Sequence, residues 1–391
     1  MSGLRTIEAA LADVLARCPR PPAESIDVRD ARGRVLAAPA HAVSDLPPFD
    51  SSAMDGYAVR AADTPGRLRI SGHSAAGHPA GVELQPGEAI EISTGAVVPA
   101  GADAVVPVER VTVQGGEIEA EGVEQGASVR PRGGDTRRGD VVADAGLVLG
   151  PSQLGALAAA GVAAVECARR PRAVVLPTGS ELRPPGTELA PGQIYESNSV
   201  LLAAQLESAG AVADVRKPAV DDEATLRAAL EQALEADVLL TSGGVSVGPH
   251  DLVRTLLAEL GVEEVFWGVA VRPGKPLFFG VRGTTLVFGL PGNPVSTLVG
   301  FELFVRPALA ALQGAADPGP HYLSGRLARA VTRNPARDDL MRAVANGDEL
   351  EPLSGQESHM IVRAAAANAL VHVPRGDGEL ERGAHVSWLQ V

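Results

Sequence analysis

From Arg172 onward, short apolar runs alternate with longer amphipathic stretches, and this alternation limits the fold more than any other feature of the chain. The pattern predicts strands over 173–176, 212–215 and 237–241, and helices over 199–208, 223–235 and 252–260. It also predicts a hairpin of 277–281 with 285–288 around Arg282 and Gly283, followed by a helix over 294–312. Crossovers of this length imply a mainly parallel sheet between two helix layers. In such sheets ligands bind beyond the carboxyl ends of the strands. Three loops fall there: 176–182, 241–248 and 289–296. Glycine lets backbone N–H groups turn toward an oxyanion, and hydroxyls add donors. Ser242, Gly243, Gly244, Ser246 and Gly248 in the second loop are therefore candidate binding residues, as are Pro291, Gly292, Asn293, Pro294 and Ser296 in the third. Asn293 followed by Pro294 looks like an N-cap and a first-turn proline, which would aim the positive end of the last helix at the loop. One Gly-rich turn is usually plain punctuation. Three at one sheet edge point to phosphate or oxyanion binding.

The rest of the chain divides around this unit. Expected boundaries are 1–45 with 144–170 as a helical linker domain, 46–143 as a β-rich domain, 171–316 as the α/β domain and 317–391 as a small β domain. Leu4, Ile7, Leu11, Val14 and Leu15 share one helical face, with Glu8 and Asp13 between them, so an amphipathic helix opens the chain. Runs at 89–93 and 104–108 read as strands, and 111–119 as a hairpin turning at Gly115 and Gly116. Residues 150–163 read as a helix capped by Ser152, expected to pack on the first helix. Pro318 and Pro320 mark the last boundary, and 386–391 is strand-like.

Formal charge is 34 − 48 = −14, which repels nucleic acid and anionic membrane at long range. An anionic ligand would need a locally positive site. Arg272 and Lys275, held by Pro273 and Pro276, supply a guanidinium fork and a point charge beside the predicted cradle. No stretch approaches the roughly 20 apolar residues that span a bilayer. The cysteines, Cys18 and Cys167, are far apart without a CxxC pair, which argues against a disulfide framework or zinc site and for a reducing cytoplasm. The eight histidines show no ligand spacing, although His250 and His359 adjoin candidate site residues.

Residues 47–59 combine Phe49, Met54 and Tyr57 with Asp50 and Asp55, too apolar for a free linker. Together, residues 49–58, Ser93 to Ala96, Pro177 to Gly179, 241–248, Pro273 to Pro276 and 290–296 resemble the molybdopterin molybdenumtransferase family, the MoeA-type insertases related to the C-terminal part of gephyrin. The match runs in order over most of the chain. The resemblance implies an α/β plus β multidomain protein: a molybdopterin-binding three-layer α/β domain, a β-rich N-terminal domain, a small helical linker domain and a C-terminal β-barrel-like domain.

It further implies a cytoplasmic homodimer that inserts molybdenum into adenylated molybdopterin, releases AMP, uses Mg²⁺ and meets other proteins of cofactor assembly. Asp55, Thr94 and Asp135 would approach the partner subunit's pocket, whereas Glu181, Asp221 and Asp251 would be carboxylates of the α/β domain itself. With Lys275 these form the implied catalytic set; Asp55, Glu181, Asp221 and Asp251 are the implied Mg²⁺ ligands. Arg272, Lys275, Pro276, Arg342 and Ser358 match positions that hold molybdate. Ser51 stands where the family more often has Asn, and Ser180 where Asp is frequent. Two alternatives are a molybdopterin adenylyltransferase and a non-enzymatic gephyrin-type scaffold. The first resembles a Thr-Gly-Gly-Thr-Gly loop on a compact chain, whereas Ser242-Gly-Gly-Val-Ser246 stands here behind a long N-terminal region. The second would need an apolar peptide-binding patch.

Overall fold

A computed structural model describes residues 3–20, 22–219, 222–244 and 252–391. Its centre is a six-stranded sheet in the order 212–215, 172–177, 238–242, 285–290, 278–282, 263–267. The first four strands run parallel and the last two pair antiparallel, so the expected mainly parallel sheet is present with an antiparallel edge. Strand Val238–Ser242 is buried throughout, as a strand covered on both faces must be. Alternation sorts its side chains: Val238 and Leu240 join one core with Ala173 and Val175, while Leu239 joins the other with Val174 and Leu176. Helices Glu223–Ala233 and Leu252–Glu259 cover the second face.

Helix Asn198–Ser208 and the long helix from Pro294 to Leu312 cover the first face. The long helix departs from expectation. It is apolar and long enough to cross a membrane by length and composition, although no such stretch is evident from a simple reading of apolar runs. Here 78% of that window is buried in the protein, and its Val299, Phe301, Leu303 and Leu309 fill the core. A π-helical turn over Phe301–Val305 interrupts its regular α-helix.

The first helix, Ile7–Leu15, is capped by the Thr6 side chain, which accepts from the Ala9 N–H at 3.1 Å. Its buried Ile7, Ala10 and Val14 enter the α/β core beside Leu309 rather than packing on the helix at 151–159. That second helix, Pro151–Ala159, packs with Val28, Ala31, Leu36 and Val165 in a separate small core. Its N-cap is Gly150, whose N–H donates to Gln153 Oε1 at 3.2 Å; Ser152 lies inside the helix and caps nothing. Strand 23–27 pairs with 164–168 and so ties the two linker segments together.

Residues 56–120 form a mixed sheet in the order 104–107, 56–59, 88–92, 66–74, 117–120, 111–114, including the expected hairpin at Gly115 and Gly116. Near the C-terminus, strands 338–346, 349–352, 323–327, 385–390 and 369–373 follow one another, and 369–373 pairs back onto 338–346 to close a five-stranded barrel. Val271–Arg272 pairs in parallel with Asp338–Asp339, which stitches the barrel to the α/β unit.

Candidate active site

A cavity of about 700 Å³ opens at the carboxyl ends of strands 172–177, 238–242 and 285–290. Sheet topology places it there. The chain leaves strand 172–177 for 212–215 on one side and returns to 238–242 on the other, which opens a crevice at the switch point. All three predicted loops contribute to it. Glu181, Ser242, Gly243, Gly244, Gly292, Asn293 and Pro294 line it.

The loops hold one another closely. Thr178 donates its N–H to Ser242 O at 3.0 Å, and Gly243 donates its N–H to Leu290 O at 3.0 Å. Gly243 sits at φ +91°, and a Cβ there would lie 2.8 Å from Thr178 O, so only glycine fits. Asn198 is 7% exposed and bridges two loops: its Nδ2 donates to Ser242 Oγ at 2.7 Å and to Gly292 O at 2.8 Å.

Some expected anion donors are spent internally. Gly243 N–H serves Leu290, and Val295 N–H at the head of the long helix serves Ser358 O at 3.1 Å. Asn293 occupies the N-cap position, yet its side chain does not cap the helix. Its Nδ2 donates to Ser358 Oγ at 2.9 Å instead. Pro291 is turned inward, its carbonyl accepting from Thr297 Oγ1 at 2.6 Å, and Ser296 is buried, so neither lines the cavity.

Of the predicted oxyanion residues, Arg272, Arg342 and Ser358 lie where the barrel meets the α/β domain. Ser358 is bound to Asn293, and the loop before it accepts from Arg342, whose Nη2 donates to the carbonyls of Gly355 and Glu357. Arg342 is 1% exposed, and its Nε and Nη1 are buried without partners among the described residues. Burial pulls its pKa below the ordinary arginine value, with Glu357 opposing. Arg272 is not free: its Nε donates to Asp339 Oδ1 at 2.7 Å, and its Nη2 to Asp339 Oδ2. Burial raises the Asp339 carboxyl above the usual carboxylate range, with Arg272 pulling the other way. Lys275 is exposed and has no ion-pair partner among the described residues, and the half-buried Pro276 follows it.

Asp55 and Thr94 meet each other, Thr94 N–H donating to Asp55 Oδ1 at 2.7 Å, and Asp135 lies on another loop. All three are exposed and none lines the cavity, so Asp55 and Glu181 are not brought together within one chain. Asp221, Ser246, Gly248, His250 and Asp251 lie outside the described residues. Among the described residues no group of three or more His, Cys, Asp or Glu side chains could hold a metal ion.

The cavity also contains residues that the pattern of loops did not single out: Ile194, Tyr195, Glu196, Asn198 and Ile361, while Thr178 of the first loop and the flagged His359 do line it. Glu196 is buried and accepts from both the N–H and the hydroxyl of Ser199. The signal for this group was Ser197 and Asn198, two small polar residues directly before an apolar helix.

A doubly covered sheet with a strand-end cavity, joined to a closed barrel and a β-rich N-terminal unit, defines a multidomain α/β plus β protein. The sequence matches "MoeA N-terminal region (domain I and II)" over residues 5–161, "Probable molybdopterin binding domain" over 175–311 and "MoeA C-terminal region (domain IV)" over 324–391. It is 37% identical over 404 residues to molybdopterin molybdenumtransferase 2 of Mycobacterium tuberculosis, covering 98% of each chain. It is 35% identical to the molybdopterin molybdenumtransferase of Haemophilus influenzae, covering 98% of this chain and 97% of that one. A crystal structure of a molybdopterin biosynthesis MoeA protein from Pyrococcus horikoshii superposes with a TM-score of 0.84 at 34% identity, covering 99% of both chains. This chain belongs to the molybdopterin molybdenumtransferase family.

Proposed function

We propose that this protein is a transferase that inserts molybdenum from molybdate into molybdopterin, taking the adenylated pterin as substrate and releasing AMP. The observation that carries the reading is the position of the cavity. All of its lining residues but His359 and Ile361 lie in the segment that matches the molybdopterin-binding domain, and its wall residue Asn293 is bonded to Ser358 of the barrel domain. In the reaction two dithiolate sulfurs displace oxygen ligands of molybdate, which leave as water or hydroxide. Hydrolysis of the phosphoanhydride, with one water adding across the broken P–O bond, frees AMP and leaves the pterin phosphate.

The protein's own groups suit two anions. Exposed Lys275 meets molybdate, and the unpartnered Nε and Nη1 of Arg342 are donors without a ligand. The apolar Leu182, Ile194 and Tyr195 offer a wall for a flat ring and exclude water from one side. Glu181 would hold Mg²⁺, together with Asp221 and Asp251. With no three-membered ligand cluster among the described residues, the ion would rest on few carboxylates and on substrate phosphates, as Mg²⁺ commonly does. When bound, it neutralises charge on the phosphoanhydride. A homodimer fits the exposed Asp55, Thr94 and Asp135, which do not line the strand-end cavity of their own chain and would complete that of a second copy. The free thiols Cys18 and Cys167 suit the cytoplasm.

The test is incubation of purified protein with adenylated molybdopterin and molybdate, assaying AMP and active cofactor. Lys275→Ala is expected to melt as wild type does and to lose at least about 100-fold of insertion activity. Full activity in that variant removes Lys275 from the site, and a wild type that forms neither product overturns the function.

A further inference from the structure

Asn198, which lines the cavity, carries an incomplete hydrogen-bond set. Gly292 O can only accept, so the amide nitrogen of Asn198 must face it, and this fixes the side-chain orientation. An amide nitrogen has two hydrogens, and Ser242 Oγ and Gly292 O take both. What remains is Oδ1, a buried atom on a cavity-lining residue, with no partner among the described residues. An acceptor left empty at this depth is costly, so a ligand hydrogen is its natural complement. An anionic oxygen is not, because two acceptors repel. The group that meets Asn198 is therefore a neutral donor on the ligand rather than its phosphate.

We infer that Asn198 Oδ1 accepts a hydrogen bond from the donor edge of the pterin, its 2-amino group or its N3–H, and so selects the heterocycle. This rests on the reading of the cavity as the molybdopterin site. The rest of the cavity agrees with it. Tyr195 is half-exposed, and its hydroxyl is tied to Thr187 O at 2.9 Å, so the aromatic ring is held as part of a wall with Ile194 and Leu182. A flat ring against that wall would present its edge, not its face, to residues on the floor. Asn198 opens helix Asn198–Ser208, whose Leu202 and Leu206 are fully buried, so the acceptor is mounted on a rigid element. Asn198 is thus a binding residue that reads hydrogen-bond polarity, with no part in bond making.

The experiment measures the affinity of the full-length protein for 6-hydroxymethylpterin monophosphate by calorimetry. Two analogues are compared with it: one with methyl replacing the 2-amino group, and one methylated at N3. Wild type should lose about ten- to 100-fold in affinity for at least one analogue. In Asn198→Ala the parent pterin should bind more weakly, and the gap between parent and that analogue should close. Equal binding of all three by wild type, which needs no variant to fold, overturns the inference. So does a gap that persists in Asn198→Ala, because another group must then read the edge. AMP and inosine monophosphate form a control pair: discrimination between them that depends on Asn198, without discrimination among pterins, would assign the acceptor to the nucleotide and also overturn it. Failure of wild type to bind any pterin would instead sink the reading of the cavity itself.

Discussion

At the strand-end cavity the polar groups are neutral and bind one another: Asn198 links Ser242 to Gly292, and Thr178 is bonded to the backbone of Ser242. At the adjoining junction with the barrel the polar groups are charged. There Arg272 is neutralised by Asp339, while Arg342 is buried with two donors unfilled. The two regions solve different problems. A ligand's neutral parts can be held by dipoles that are paid for locally, with single vacancies such as Asn198 Oδ1. Positive charge in a molecule of net charge −14 needs a fixed shell that keeps it from being quenched by surplus carboxylates. The shell of Arg342 is made of backbone carbonyls, which orient a guanidinium without cancelling its charge. Of the two arginines, then, Arg342 is the one with no carboxylate ion pair among the described residues, although it is buried.

The sharpest way to break this contrast is Arg342→Met. Removing the guanidinium strips the Gly355 and Glu357 carbonyls of a donor, at about 1–3 kcal/mol. It also removes an unneutralised buried charge, whose cost is of similar size and opposite sign. Net stability should stay within about 2 kcal/mol of wild type, while molybdenum insertion should fall by about 10²–10³-fold, the scale of deleting one donor to a reacting oxyanion. Chemical unfolding and the insertion assay, read together, decide it. Strong destabilisation with wild-type turnover would make Arg342 a structural residue.

Gly243→Ala probes the neutral side and should have a smaller effect. Its new Cβ would meet Thr178 O at 2.8 Å on a backbone at φ +91°, so a loss of about 1–3 kcal/mol is expected. Urea midpoints measure it. A variant as stable as wild type would show that the loops yield, and that the cavity is less fixed than the junction.

How much of this was legible beforehand follows from the range of the interactions. Strand–helix alternation after Arg172 and the three strand-end loops could be read because periodicity and turn chemistry are local. The same holds for the hairpin at Gly115 and Gly116. The pairings Arg272 with Asp339 and Asn293 with Ser358 span 67 and 65 residues, and nothing local marks them. Asn293 illustrates the limit. Its cap position was evident from the following proline, but its side chain serves a loop from the barrel domain. The first helix was equally clear as a helix, and its partner was not, because an apolar face states that it will be buried and not where. Asn198 was passed over because its meaning lies in an unfilled acceptor, which appears only once both loops are in place.

The smallest effect concerns the paired arginine, and it is a difference in pH dependence. Burial raises the Asp339 carboxyl in the folded protein above its unfolded value near pH 4, despite the attraction of Arg272. Between those two values the folded state holds more protons at this residue than the unfolded state does, so its contribution to stability declines as pH rises through that window. Many other carboxylates act oppositely: Asp45, held by Arg138 N–H and Arg132, and Asp222, held by Thr225, titrate below their ordinary values, and their stabilisation is lost only as the medium is acidified. Wild type as a whole therefore gains stability from low pH toward neutrality, and Asp339 should blunt that gain. In Asp339→Asn the blunting disappears, so the curve of unfolding free energy just above about pH 4 should be steeper than that of wild type, by less than the ~1.4 kcal/mol per pH unit that one proton allows. Parallel curves would mean that Arg272 fully offsets burial, and a steeper wild-type curve that it outweighs burial. The junction would then hold an ordinary ionised pair, and Arg272 would be more firmly quenched than the comparison with Arg342 already requires.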